Sequence, residues 1–481
     1  MGWWWVALSL LLPWMAMSLW LRLLWPEPRP GRWPMVLGYG YLLGIIGSAG
    51  VLWLQGALGW PLGSRVLLIV PGLLLVTALL LLSRGKSPGN AEVRASEYLS
   101  LWRGFVFGLI LLWVVARFAG LALEIWWQPL FPWDAWTTWG ARAKVWTALQ
   151  TLVPFVSPEA WLADRTGTLH TIDAWSYPAT ISLVAAWPTL ALGAWNETAA
   201  NIPWLGVALA LGLGFYGQAR LWGACPLTAM VFVWMVLSVP LLNTQIALAG
   251  YADLWLATAL GLALMAFLQW LRSGDPRQGF LTILSILVCI SIKREGLVWV
   301  LLFIPSLIAA KLGKNVLQIL AVVLMGLVVF LWVQGVIEFD LPGLGSVRLS
   351  ANVIQLPFID EFRVDYHPVW EPVLRQYFLY SNWHLFAYVL VLSFVAAIAA
   401  LFLNSPRGWL KAGLVWALGS LAAIYFLFFW TDAYLWAVKA TSINRILLQF
   451  IPGLFFWIMT VWLEFVRALE NRSVPFSSRG H

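Results

Sequence analysis

The sequence predicts an all-α polytopic membrane protein with about 12–13 transmembrane helices. Three observations carry that expectation. Of 481 residues, 62% are hydrophobic and 10% are charged, where a soluble domain is about a quarter charged. Apolar runs of about 20 residues recur along the chain, each long enough to cross the hydrocarbon as a helix. Many of the 36 Trp sit at the ends of those runs, as in Trp3-Trp4-Trp5 and Trp126-Trp127, and indoles favour the membrane–water interface.

The runs place helices near 3–25, 34–56, 65–83, 102–123, 197–217, 226–243 and 251–271. A second series follows near 279–291, 296–310, 315–335, 384–404, 412–430 and 447–467, of which the pair within 279–310 is short for full spans. The first run, from Gly2 to Trp25, lacks a basic n-region and exceeds a signal h-region, so it reads as a retained helix. The net charge of +8 does not form one basic patch. Its Lys and Arg fall between the apolar segments, which marks them as topology signals and not as a nucleic-acid surface. Cys225 and Cys289 offer neither a disulfide framework nor metal-ligand spacing.

Orientation follows from where the basic residues gather. Arg22, Arg29 and Arg32, then Arg84, Lys86 and Arg94, share a face with Arg272, Arg277, Lys311, Lys314, Arg407, Lys411, Arg472 and Arg479. By the positive-inside rule that face is cytoplasmic. The N-terminus is then outside the inner (cytoplasmic) membrane and the C-terminus inside. The assignment leaves two long polar stretches outside, about 124–196 and 336–383, and a shorter one at 431–445. Loops of that length are uncommon unless they carry function.

The first outer loop opens with Phe131-Pro132-Trp133-Asp134-Ala135-Trp136. Asp134 is either the N-cap of the helix that follows or a general base, since a carboxylate among aromatics at a membrane surface is partly desolvated. Trp136, Trp139, Ala143, Trp146 and Leu149 recur at helical spacing. Thr137, Lys144 and Thr151 lie opposite, with Arg142 at the edge, so the segment reads as an interfacial amphipathic helix, Trp side down. Further on, His170 and Tyr177 precede Pro178 and an apolar stretch, 179–194, which reads as an interfacial or re-entrant helix. His170 reads first as a hydrogen-bonded loop residue. With four His in the chain, none paired at ligand spacing, no zinc site is expected. Arg142, Lys144, Tyr177 and His170 are this loop's candidate substrate-binding residues.

Charge appears at three further places on the outer side. Asp253, in Gly250-Tyr251-Ala252-Asp253, enters a helix and is either its cap or a second carboxylate facing the same cavity as Asp134. Two such carboxylates could orient an acceptor or hold a divalent cation through oxygen ligands. The run Ser291-Ile292-Lys293-Arg294-Glu295-Gly296 breaks an apolar stretch. Ionisable residues at membrane depth need partners or water. The run is either an outer turn between short helices or an anion site built on Lys293 and Arg294. Arg445, in Ile443-Asn444-Arg445-Ile446, adds a cation on the same side.

In this order the motifs resemble the GT-C class of integral membrane glycosyltransferases, in its protein mannosyltransferase and aminoarabinose transferase branch. The features that carry the resemblance are the Asp134 loop, the Tyr177-Pro178 stretch, the Gly-Tyr-Ala-Asp253 helix start, the Lys293-Arg294-Glu295-Gly296 break and Asn444-Arg445-Ile446 leading to Ile451-Pro452. The resemblance spans roughly 100–470. It implies a GT-C-like transmembrane catalytic module over 96–470, with 1–95 as additional N-terminal helices and linker and 471–481 as a cytoplasmic tail.

The resemblance further implies that a sugar leaves a polyprenyl-phosphate carrier outside the membrane for a lipid, glycan or protein acceptor. Asp134 matches the expected catalytic base, and Lys293, Arg294 and Arg445 fall where the class gathers cations for the carrier phosphate. The lone Asp134, where an Asp-Glu pair is frequent, leaves a divalent cation as an open element. One base without a nucleophile partner implies inversion at the anomeric carbon. Three other readings compete with it: an O-antigen ligase or polymerase, a transporter or flippase of a lipid-linked substrate, and a structural membrane subunit without activity, which would leave the outer charges unexplained.

Overall fold

The computed structural model describes residues 2–84, 100–127, 132–312, 335–341, 345–350, 352–356, 359–403 and 407–473, with short pieces at 325–326, 329–330 and 333. Most of the expected helix 315–335, together with Phe131, Lys86, Arg94, Lys314 and Arg479, lies outside the described residues. The chain is a largely helical, multi-spanning membrane protein. Seven helices among the described residues are long and apolar enough to cross a membrane, or eight if a bent pair counts as one span. Three further expected spans are shorter apolar helices, and 296–310 is broken near residues 301–302.

The chain divides into two compact units. The first comprises Met1–Trp270, Gly274–Leu297 and Ile451–Phe456, and the second Leu271–Ser273, Val298–Phe450 and Trp457–His481. The boundary that the sequence places near residue 95 lies outside the described residues. The first two helices are integral to the first unit.

That unit runs through α1 (Trp3–Leu24), α2 (Arg32–Ala57), α3 (Ser64–Leu67), α4 (Ile69–Arg84) and α5 (Leu101–Trp127). A π-helical turn, Ala135–Trp139, leads into α6 (Gly140–Leu149), followed by α7 (Pro158–Ala163), α8 (Thr180–Leu192) and α9 (Glu197–Trp222). Then come α10 (Pro226–Leu237), α11 (Pro240–Ala247), α12 (Asp253–Ser273), α13 (Pro276–Ile292) and α14 (Arg294–Val300). α12 is the central rod: every residue from Asp253 to Gln269 is buried.

Small residues let α2 and α9 approach closely, as helix pairs in membranes do. A Cβ on Gly38 would collide with the Gly214 backbone, and one on Gly217 with the backbone of Met35. Polar groups pin the same contact. Tyr39 donates to the Leu262 carbonyl at 2.7 Å. Gln218 Nε2 donates to the Tyr39 hydroxyl at 3.0 Å and to Gln278 Oε1 at 2.9 Å. A buried indole ties α1 to α8 in the same way, Trp187 Nε1 donating to the Ser9 carbonyl at 2.6 Å.

α8 occupies the apolar stretch 179–194. All residues from Ile181 to Ala191 are buried, so the helix has no solvent-facing polar side. At 13 residues it is about 20 Å long and too short for a full span. It is an internal helix.

The amphipathic helix after Asp134 is corrected. Trp139, Ala143 and Trp146 are buried as expected, but Trp136 and Leu149 are exposed and Arg142 is buried. The π turn adds a residue to the helical period and moves Trp136 off the face that continues through α6. The buried face of α6 packs on α8, not on an interface.

The second unit contains a feature absent from the all-α expectation. Within the polar stretch 336–383, strands β1 (Ile337–Leu341), β2 (Gly345–Leu349), β3 (Val353–Leu356) and β4 (Ile359–Arg363) form an antiparallel meander in the order β1-β2-β3-β4. Ile337 pairs with Leu349 and Val353 with Arg363. The remaining helices of this unit include Phe303–Lys311, Phe386–Leu403, Gly408–Trp430 and Ile443–Ser473. A Cβ on Gly408 would press on the Ala310 carbonyl. Trp299 Nε1 donates to Gln449 Oε1 at 2.6 Å, and Arg407 pairs with Glu464 at 3.1 Å.

Candidate functional site

The Lys-Arg-Glu-Gly run interrupts the helix, and its backbone explains how. Lys293 is extended, with φ −147° and ψ 155°, and ends α13 before α14 begins at Arg294. Across this break the Lys293 and Glu295 side chains meet each other. Gly296 allows the fold-back, because a Cβ there would strike the Cys289 carbonyl.

Lys293 Nζ donates to Asp253 Oδ1 at 3.0 Å and to Glu295 Oε1 at 3.1 Å. The side chains of Lys293 and Asp253 are 8% and 1% exposed. At such depth an ammonium persists only if it is paired. Here two carboxylates flank one ammonium, and Asp253 stands at the first position of α12.

Tyr177 closes the cluster from the first loop. Its hydroxyl donates to Glu295 Oε1 at 3.2 Å, and Lys293 Nζ and the Arg294 guanidinium each lie 5.9 Å from its ring centre. Burial, and then the Glu295 charge, push the phenol up to about 12. Trp139 meets the Tyr177 ring edge-on at 5.6 Å, which joins the π turn to the cluster. Asp134 precedes that turn, half-buried, and its side chain makes no capping bond. π-helical turns recur at functional sites in proteins.

Arg142 shows why Tyr177 is where it is. Its guanidinium donates to the carbonyls of Tyr177, Ala174 and Trp175 at 3.0–3.1 Å, with Pro178 at 3.5 Å. It also packs over Trp146 and Phe155 at 5.7 and 5.4 Å. Burial lowers its pKa to about 10. These bonds hold the 174–178 segment against α6.

The other sequence candidates fall elsewhere. His170 is a backbone partner of Phe155 in an isolated bridge, and its ring lies 5.6 Å from that of Phe155. Lys144 is exposed on α6. Arg445 belongs to the second unit, in the first turn of Ile443–Ser473, beside Asn444, which donates to Gln376 Oε1 at 2.6 Å. Glu295 is the residue that sequence reasoning quoted and left unassigned. Its signal was the Lys-x-Glu spacing across a helix break. Glu295 Oε2 is buried and has no hydrogen-bond partner among the described residues, so the cluster holds one spare acceptor. Among the described residues no group of three or more His, Cys, Asp or Glu is arranged to hold a metal ion.

Compared with protein-family models, curated proteins and solved structures, the chain matches none.

Proposed function

We propose that the chain is a GT-C-like inverting glycosyltransferase of the inner membrane. It takes its sugar from a polyprenyl-phosphate carrier and passes it to a hydroxyl acceptor at the outer face. The observation that carries this reading is the convergence of three separated motifs, Tyr177-Pro178, Tyr-Ala-Asp253 and Lys293-Arg294-Glu295, into one charged cluster. The π turn that follows Asp134 contacts that cluster through Trp139.

In the proposed step Asp134 takes the acceptor hydroxyl's proton as its oxygen bonds to the anomeric carbon. The bond from that carbon to the carrier phosphate breaks, and polyprenyl phosphate departs as an anion. A phosphate leaving group needs charge stabilisation and no proton. Arginine and lysine at a poorly solvated site supply that stabilisation. The resemblance points to Lys293 and Arg294 as the cations for that phosphate.

Purified protein supplied with a labelled polyprenyl-phosphate sugar tests the proposal. Loss of the general base in Asp134→Asn should lower turnover by about 10²–10⁴-fold with the melting temperature kept. Full turnover in a folded Asp134→Asn protein would overturn the assignment of the base. No transfer from any polyprenyl-phosphate sugar by the wild type, with transmembrane movement of the intact lipid instead, would overturn the enzyme reading.

A further inference from the structure

α5 is the most open of the seven candidate spans, with 6% of its apolar window buried, yet it carries Arg117 near its middle. An arginine inside a span is costly unless something answers its charge, and such residues mark functional sites. Here the answer is incomplete. Arg117 Nε donates to Asn243 Oδ1 at 2.9 Å. Asn243 is fixed in turn by its own Nδ2, which donates to the carbonyls of Leu237 and Val239 at 2.8 and 2.9 Å.

The two carbonyls stand where the α10–α11 pair bends by 64°; that of Leu237 ends α10, and that of Val239 also accepts the Asn243 N–H as α11 begins, with Pro240 in its first turn. The bend opens a wedge against α5. In it lies a cavity of about 490 Å³ lined by Trp113, Arg117, Glu124, Ser238, Asn243 and Thr244, among others. Glu124 follows Arg117 by seven residues, so it lies on the same helix face about 10 Å along the axis. Among the described residues neither the two Nη atoms of Arg117 nor the Glu124 carboxylate has a hydrogen-bond or ion-pair partner.

We infer that this cavity is a binding site for the headgroup of a membrane lipid that carries both a phosphate and an amine. The paired Nη donors of a guanidinium match two oxygens of a phosphate. Asn243 aims that fork by occupying Nε, and the neutral amide leaves the positive charge to be met by the ligand. Glu124 supplies the opposite pole, suited to an ammonium. Ser238 and Thr244 add hydroxyls, while Trp113, Ala247 and Leu248 add apolar surface. A cation and an anion on one face select a zwitterion over a simple anion. The inference stands apart from sugar transfer, since none of these residues belongs to the charged cluster.

The test is lipid retention by the detergent-purified full-length protein in native mass spectrometry. The added probes are phosphatidylethanolamine, phosphatidylglycerol and inorganic phosphate. Wild type should retain phosphatidylethanolamine about tenfold better than Arg117→Gln, the value of one charge-assisted contact. Glu124→Gln should lose the preference for phosphatidylethanolamine over phosphatidylglycerol and keep phosphatidylglycerol. Should Arg117→Gln fail to fold, Arg117→Lys, which keeps the charge and loses the fork, should reduce retention several-fold. Equal retention by wild type and the Arg117 variants would overturn the site. Inorganic phosphate that binds as well as the lipid would overturn the lipid assignment, and an unchanged preference in Glu124→Gln would overturn the zwitterion.

Discussion

Tyr177 donates its hydroxyl to Glu295 Oε1 at 3.2 Å, joining the segment before α8 to a helix break 118 positions later in the chain. The bond has a readable pH signature. The phenol's pKa is raised to about 12 by burial and by the Glu295 charge, so the neutral hydroxyl is the form the fold favours. Its stabilising contribution is full below the unfolded value near 10 and is lost as pH rises through about 12. The difference in absorbance titration between wild type and Tyr177→Phe should show one phenol ionising near 12. A difference curve centred near 10 would mean that the hydroxyl is open to water.

The Lys293–Asp253 pair predicts a non-additive cycle. Lys293→Ala removes the ammonium held between the buried Asp253 and the half-buried Glu295 and should cost about 3–5 kcal/mol, read as a fall in melting temperature. Asp253→Asn added to it should restore part of the loss. If the double variant simply summed the two single losses, the pair would not be coupled.

Gly296→Ala puts a methyl group where the Cys289 carbonyl stands. Overpacking of this kind costs about 1–3 kcal/mol. The same change should shift Lys293 and Glu295 together. Thermal unfolding reports the first effect and loss of the high-pH Tyr177 transition the second. A variant that leaves both unaltered would show that the break does not depend on this close approach.

Arg142→Lys keeps the charge and loses the fork that serves several carbonyls at once. We expect a loss of about 2–3 kcal/mol. Faster amide exchange at 174–178 should accompany it, while α12 stays protected. Uniform acceleration across the first unit would instead indicate global destabilisation.

The membrane-spanning character was legible because it rests on composition and run length, which no tertiary contact can reverse. The charged cluster was partly legible. Lys293, Arg294 and Asp253 stand out as charges against apolar flanks. Glu295 was passed over because its role depends on the extended backbone at Lys293, which only the break reveals. Arg142 was misread for a different reason. By ordinary helical spacing it shares the face of Trp139, Ala143 and Trp146, and its role stays hidden because the carbonyls it serves, in 174–178, are distant in sequence. The strands from Ile337 to Arg363 went unseen because short alternating segments inside a polar stretch carry little signal beside 20-residue apolar runs.

The contact of Gly38 with Gly214 and the Tyr39–Gln218–Gln278 chain alter the status of the N-terminal helices. In the amino-acid order they precede everything resembling a catalytic motif and look detachable. In three dimensions α2 fills the groove of α9 and anchors on α12, the rod whose first residue holds Lys293. A shortened chain starting near residue 96 would therefore open the groove of α9 and leave the Leu262 carbonyl and Gln218 without the Tyr39 hydroxyl. What looks like an appendage is a wall of the first unit, and trimming it would unseat the rod that carries Asp253.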